Sequence, residues 1–226
     1  MLARWRHPTR GLVPPEEFLA VAEEAGLGPA LGELILREAV AQARAWRDAG
    51  LAAGWLAVNL PAPQLRGGGL AGTVRAVLAE AGLAPGSLMV EVTEGVFLGR
   101  DAGRVTEELE ALHATGVTVA LDDFGTGYAS LAHLRRFPIG ALKVDRSFVR
   151  DLLVDPGDAT IVRAVVGLGH SLGMRVVAEG VEDEGQLAWL RLQGCDYAQG
   201  TLLGPAMPAE EVPGWLARRR GQEVTA

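Results

Sequence analysis

The 226-residue chain contains one cysteine, Cys195, one lysine, Lys143, and one asparagine, Asn59. A single thiol excludes a disulfide framework and a thiolate metal cage, and it fits a reducing compartment. No basic segment precedes an apolar one near the N-terminus, and no apolar run approaches the ~20 residues that span a bilayer. A cytoplasmic domain with no membrane contact of its own is therefore expected. Positive charge is also short: the net charge is −7 and the pI about 5.2, so no broad basic face exists for a DNA or RNA polymer. A small phosphate ester remains compatible, because carboxylates that hold divalent cations invert the local charge.

The near absence of lysine and asparagine gives weight to the two that exist. Of 21 Lys and Arg residues all but Lys143 are arginine. A guanidinium differs from an ammonium in hydration, geometry and ease of pKa shift, so Lys143 stands where guanidinium would not serve.

Hydrophobic residues make up 49% of the chain, enough for one large α/β domain over residues 1–226. Val-, Leu- and Ala-rich runs alternate with segments of helical periodicity, the pattern of repeated βα units on a parallel sheet. The runs predict strands at Leu2–Trp5, Trp55–Leu60, Leu88–Thr93, Val117–Asp122, Ala141–Asp145, Arg175–Glu179 and Asp196–Gln199. Helices are predicted near Pro15–Ala25, Pro29–Ala49, Leu70–Ala81, Ala102–Ala114, Leu131–Phe137, Ala159–Leu172, Glu184–Leu192 and Ala209–Arg218. The "GLGPALG" run at 26–32 follows a helix and not a strand, so it is no dinucleotide fingerprint. His113, His133 and His170 lack metal-ligand spacing, and Trp46, Trp189 and Trp215 read as packing residues.

Polar residues gather at the C-terminal ends of these strands: Asn59, Glu91 with Thr93 and Glu94, Asp122 with Asp123, Lys143 with Asp145, Glu179, and Gln199. Barrels and open α/β sheets both place their chemistry at that end. Several carboxylates and one amide in a small volume suit hard cations such as Mg²⁺ or Mn²⁺, and strand alternation turns Asp122 and Asp123 in different directions, toward a metal pair between them. A pair of such ions supports in-line phosphodiester hydrolysis. Lys143 and Asp145 share a strand face, where the ammonium either orients a water or forms a structural ion pair.

The segments "RWRHPTRGLVPPEEF", "AVNL", "VEVTE", "LDDFGTGYASLAHLRRFPIGALKVDRSFV", "VVAEGVE" and "GCDYAQG" together resemble the EAL-domain cyclic di-GMP phosphodiesterases, in family order. The resemblance implies a TIM-like (β/α)8 barrel that converts cyclic di-GMP to linear pGpG with two Mg²⁺ or Mn²⁺ ions. It makes Asn59, Glu91, Asp122, Asp123 and Glu179 metal ligands, with Glu179 also a general base and Lys143 the holder of the catalytic water. Glu94 would anchor the "DFGTGYAS" loop, which in the family couples the metal site to a dimer interface, so a homodimer is expected. Arg4 would meet a substrate phosphate, and Asp145, Glu182 and Gln199 would line the site. The family-naming glutamate would stand one residue before Met1, so the barrel is expected to lack its first strand and one ligand here, with upstream sensor or cyclase domains outside this sequence. A non-catalytic cyclic di-GMP receptor or interaction module is the alternative. An enolase-like barrel would explain carboxylates at strand ends but not the adjacent aspartates before a glycine-bearing loop.

Overall fold

The computed structural model describes residues 1–51, 54–97, 102–125, 127 and 131–223. Two short strands, β1 (Trp5–His7) and β2 (Gly11–Val13), form an antiparallel hairpin. Helices α1 (Pro15–Glu24) and α2 (Gly28–Asp48) follow. Six parallel strands then alternate with helices: β3 (Leu56–Asn59), β4 (Leu88–Thr93), β5 (Thr118–Phe124), β6 (Ala141–Val144), β7 (Arg175–Glu179) and β8 (Tyr197–Gln199). The helices between them are α3 (Ala62–Gly67), α4 (Leu70–Ala81), α5 (Ala102–Ala114), α6 (Leu131–Arg136), α7 (Arg146–Arg150), α8 (Pro156–Ser171) and α9 (Glu184–Leu192), and α10 (Val212–Glu223) ends the chain.

The sheet runs β3-β4-β5-β6-β7-β8 in sequence order, so each strand pairs with the next across a helical crossover. Curled, this sheet is a half-barrel of the TIM-like α/β type. Alternation along the strands sorts the side chains into two sets. Val90, Val92, Val119, Leu121, Leu142, Val144 and Val176 point outward and pack with helix residues such as Val105, Leu109, Val162 and Val166 in the main core. Met89, Ala120 and Ala141 point inward and form a second, smaller cluster with Trp55 and Ala57. Burial on both faces explains why the central strands read as continuous apolar runs.

The helices follow from the same accounting. Helix α4 buries Leu70, Val74, Val77, Leu78 and Ala81, one face of a 3.6-residue period. Its first turn is held by Glu108 of α5, whose carboxylate accepts from Gly69 N at 3.0 Å and Ala71 N at 2.6 Å. Helix α9 starts on a capping box between Asp183 and Gln186.

Six of the seven expected strands appear within two residues of their expected limits; the first does not. Residues 2–4 pair with no strand, and Trp5 belongs to the β1-β2 hairpin, because the Pro8-Thr9-Arg10 turn, in which Thr9 N and Arg10 N donate to His7 Nδ1, sends the chain straight back. The Met1 nitrogen donates to Ala57 O, which lays the N-terminal residues along the outer edge of β3. Sequence spacing also passes over the hairpin itself and two short helices, α3 and α7. None of the described helices is long and apolar enough to cross a membrane.

Candidate functional site

Strands β4 to β7 each direct a charged side chain inward near their C-terminal ends. Lys143 Nζ on β6 lies 2.7 Å from Glu91 Oε1 on β4 and 2.9 Å from Asp122 Oδ1 on β5, and it also contacts Glu179 Oε1 on β7. Lys143, Glu91 and Asp122 are 4%, 5% and 8% exposed, so these three are withdrawn from water, while Glu179 is half-buried. Burial pulls the Lys143 ammonium down, but the Glu91, Glu179 and Asp122 carboxylates together raise it above the ordinary lysine value. The Glu179 carboxyl is raised, by burial first, while Lys143 opposes the shift.

Asp123 joins the cluster by a backbone device that alternation does not foresee. Its φ is +55°, in the left-handed region, and the β5–β6 register shifts between Leu121 and Phe124. Aspartate tolerates that conformation better than most residues. Asp122 and Asp123 each offer a carboxylate oxygen, with one from Glu179, and these three atoms lie within 4.8 Å of one another. The Asp123 N–H donates to Asp122 Oδ1 at 3.1 Å, which steadies the pair. Burial raises the Asp123 carboxyl, and the Asp122 and Asp145 charges add to that.

Asn59, at the end of β3, sits in register beside Glu91. Asp145 is not on the strand with Lys143: β6 ends at Val144, and Asp145 caps α7, accepting from Ser147 N at 2.9 Å and from the Ser147 hydroxyl. Burial pushes Asp145 upward too, but the Ser147 donors outweigh it and its carboxyl falls below the usual range. Gln199 ends β8, exposed, with its carbonyl accepting from Val181 N at 3.0 Å. Glu182 is exposed on the turn before α9.

Arg4 stands near the start of the chain, just before β1. Its guanidinium donates to Ala3 O at 2.8 Å, and it lines an apolar cleft of about 740 Å³ between the N-terminal residues, α1 and α2. None of the residues around that cleft belongs to the acidic cluster. Convergent charge, and not cavity size, makes the acidic cluster the candidate site.

Glu94, directly after β4, is buried, and its Oε1 accepts from Gly125 N at 3.0 Å. A Cβ on Gly127 would stand 2.3 Å from Glu94 Oε2, so only glycine lets the chain pass so close to that carboxylate. Residue 126 and residues 128–130, the rest of this loop, lie outside the described residues, as does the His133 side chain.

Two other sequence expectations can be placed. His170 Nε2 meets Asp196 Oδ2 at 3.0 Å, remote from the cluster, and burial pushes the Cys195 thiol up to about 11, which makes it an inert packing group.

The donor set of Asp122, Asp123 and Glu179 is all oxygen, the chemistry of hard divalent cations and not of zinc or copper. The chain is 47% identical over 211 residues to the bifunctional diguanylate cyclase/cyclic di-GMP phosphodiesterase MucR of Pseudomonas aeruginosa, covering 93% of this chain and 31% of MucR. It is 40% identical over 219 residues to the cyclic di-GMP phosphodiesterase PdeR of Escherichia coli, covering 96% of this chain and 32% of PdeR. It thus spans about a third of the length of these curated relatives. Among solved structures, the MucR phosphodiesterase in complex with c-di-GMP superimposes with a TM-score of 0.86 at 47% identity, over 93% of this chain and 85% of that one. The FimX EAL domain from Pseudomonas aeruginosa bound to c-di-GMP gives a TM-score of 0.81 at 25% identity, over 90% and 81%. Residues 1–206 match the EAL domain family, and with its six-stranded half-barrel and inward acidic cluster the chain belongs to that family.

Proposed function

We propose that this chain is one domain that hydrolyses cyclic di-GMP to linear pGpG in a metal-dependent reaction at the Glu91–Asp122–Asp123–Glu179 cluster. The observation that carries the reading is the buried ammonium of Lys143 held among three carboxylates on neighbouring strands. A fold does not assemble such a group without a charge to balance, since each uncompensated buried carboxylate costs several kcal/mol. The similarity to phosphodiesterases named for cyclic di-GMP supplies the substrate.

Asp122, Asp123 and Glu179 would hold a first Mg²⁺ or Mn²⁺ ion, with Asn59 and Glu91 alongside for a second. When bound, such ions lower the pKa of a coordinated water and stabilise charge on the phosphoryl oxygens. The protein's own groups do the rest. Glu179, whose carboxyl burial raises, is suited to take the proton from an attacking water. Lys143 holds that water by donating from its ammonium and offsets charge developing on the phosphoryl oxygens. Glu94, through Gly125, fixes the loop that follows Asp123 and so keeps both aspartates aimed. Arg4 would meet a distal phosphate of the dinucleotide, and Asp145, Glu182 and Gln199 would border it. In cells this reading places the chain in the cytoplasm, as a homodimer that can be joined to sensor or cyclase domains.

The test is incubation of the purified chain with cyclic di-GMP and Mg²⁺ or Mn²⁺, with nucleotide products separated by chromatography. The expected product is pGpG, lost in Asp122→Asn. A second reading, a receptor that binds without turnover, draws on Lys143 itself, which already neutralises part of the cluster. Calorimetry with cyclic di-GMP and Ca²⁺ separates the two: binding without pGpG in the Mg²⁺ and Mn²⁺ assays supports the receptor.

A further inference from the structure

The five-residue helix α7 lies between the segments that follow Asp123 and Glu179, and it meets both. On one side is Gly180, the residue after Glu179. Its φ is +71°, and a Cβ there would stand 2.6 Å from Arg146 Cβ and 3.4 Å from Arg146 Cα, so the chain runs directly against the first turn of α7. On the other side is Gly125, two residues after Asp123, where a Cβ would stand 2.9 Å from Phe148 Cε2. Asp145, the cap of α7, also meets the Asp123 side chain. The residues after Glu179 have no room to retreat. Val181 is fully buried; its N–H donates to Gln199 O at 3.0 Å, and its carbonyl accepts from Leu202 N at 3.2 Å. A Cβ on Gly200 would stand 2.0 Å from that carbonyl oxygen, so backbone closes on backbone there too. The other end of α7 is fixed to α9, where Gln186 Nε2 donates to Arg150 O at 3.2 Å.

We propose that α7 is a brace that sets the spacing of Glu179 from Asp122 and Asp123, gripping the residue after Glu179 through Arg146 and the segment after Asp123 through Phe148. The inference rests on the reading that this cluster holds divalent cations. Ladder hydrogen bonds alone do not fix that spacing. Strand β6 pairs with β7 only as far as Ala178, and its register with β5 shifts between Leu121 and Phe124. Glu179 and the aspartates therefore converge where regular pairing through β6 has ended, and the helix that follows β6 takes over from the ladder. Non-bonded carbon atoms rest about 3.5–4.0 Å apart, so a methyl on Gly180 must drive the chain about 1 Å away from α7. With Val181 held from behind, that movement goes into Glu179. Arg146, Phe148 and the two glycines are positioning residues, which act through Glu179 and the aspartates.

The test measures the Kd of Mn²⁺ by counting free ion with electron paramagnetic resonance, and kcat and KM for pGpG formation, in wild type, Gly180→Ala, Arg146→Gly, the Gly180→Ala/Arg146→Gly pair, Phe148→Leu and Gly173→Ala. Circular dichroism confirms that each is folded at the assay temperature. Gly173, in the turn before β7, has a φ of +73° and nothing within 4 Å of its Cβ position, so alanine there carries the backbone strain of Gly180→Ala without the contact. Loss of support around a metal site weakens binding about 10-fold to 100-fold, and Gly180→Ala is expected near the lower figure. Its kcat is expected to fall about 100-fold, as a misplacement of about 1 Å does, with KM within about threefold of wild type. Arg146→Gly removes the atom in the way, so in that background the Gly180→Ala step is expected to be nearly silent. Phe148→Leu, which frees Gly125, is expected to weaken Mn²⁺ several-fold, and Gly173→Ala to lower Tm alone. Should Gly180→Ala unfold, Phe148→Leu gives the same reading from the other side of the helix. A folded Gly180→Ala or Phe148→Leu protein with wild-type Mn²⁺ affinity overturns the brace, as does an equal Gly180→Ala loss in the Arg146→Gly background or an equal loss in Gly173→Ala. A wild-type chain that binds no Mn²⁺ overturns instead the reading of the cluster on which it rests.

Discussion

Replacing Lys143 with methionine should weaken the metal-free protein and tighten its grip on divalent cations at the same time. Methionine nearly preserves the length of the buried stem and removes only the charge, so packing changes little. Glu91, Asp122 and Glu179 then face one another without the ammonium that contacts all three. Breaking a buried ion pair from one side costs about 3–5 kcal/mol, some of it recovered when one of the carboxyls takes up a proton. The loss should therefore grow as pH rises above the carboxylate range, where that proton is harder to keep. With metal the sign reverses. Two cations that share carboxylate oxygens stand about 5 Å apart, and a unit and a double charge at that distance repel by about 2 kcal/mol in a water-like dielectric and about 7 at an effective constant of 20. The smaller figure already corresponds to more than tenfold in affinity. Thermal melts in EDTA and in Mn²⁺, with free Mn²⁺ counted by electron paramagnetic resonance, read both effects. Turnover should be lost throughout, since the water loses its donor. A folded Lys143→Met chain that binds Mn²⁺ no more tightly than wild type would refute the idea that ammonium and metal compete for the same oxygens.

Other consequences are smaller or more local. Gly127→Ala puts a methyl 2.3 Å from Glu94 Oε2 and should cut kcat in the pGpG assay while shifting Tm little, because the loop and not the core must move. Gly169→Ala, by contrast, drives a methyl to 2.5 Å from Val176 Cγ2 between α8 and β7 and should cost about 1–3 kcal/mol in urea unfolding. Asp196 is held below the usual carboxylate range: burial opposes this, but donation from Val176 N at 2.7 Å and from His170 wins. Its contribution is thus full above the unfolded carboxylate value near pH 4 and is lost as pH falls through the lower folded value, so Asp196→Asn should flatten acid unfolding in that window.

The strands legible in the sequence are those buried on both faces. Leu88–Thr93 and Arg175–Glu179 carry apolar runs bounded by turn residues, and they appear with the limits that the runs imply. What the sequence hides depends on contacts far along the chain. Residues 2–5 have the composition of a strand, but a strand needs a ladder partner, and the hairpin takes Trp5 before the sheet can. Asp123 is visible as an acid but not in its direction, because a left-handed φ at a non-glycine residue leaves no mark in the sequence beyond the tolerance of aspartate for it. Asp145 reads as part of the strand with Lys143 for the same reason that it leaves it: a polar residue two positions after an inward lysine fits both an extended strand and a helix cap, and Ser147 decides for the cap.

The scarcity of lysine has a physical counterpart in the site. Three carboxylate oxygens on three different strands surround the ammonium, two at 2.7 and 2.9 Å and the third also in contact. A compact ammonium can donate three bonds in roughly tetrahedral directions, whereas a planar guanidinium directs its donors into one plane and needs more room. Neighbouring strands in a curled sheet present side chains around a point and not along a line, so the geometry of the barrel interior selects the rounder cation. A guanidinium in place of the Lys143 ammonium would have to leave at least one carboxylate unpaired or push its strand outward. Lys143→Arg, which keeps the charge, should therefore lose most of its turnover and a measurable part of its stability. If Lys143→Arg instead retained both, charge alone would account for the residue, and the rarity of lysine elsewhere in the chain would carry no structural meaning.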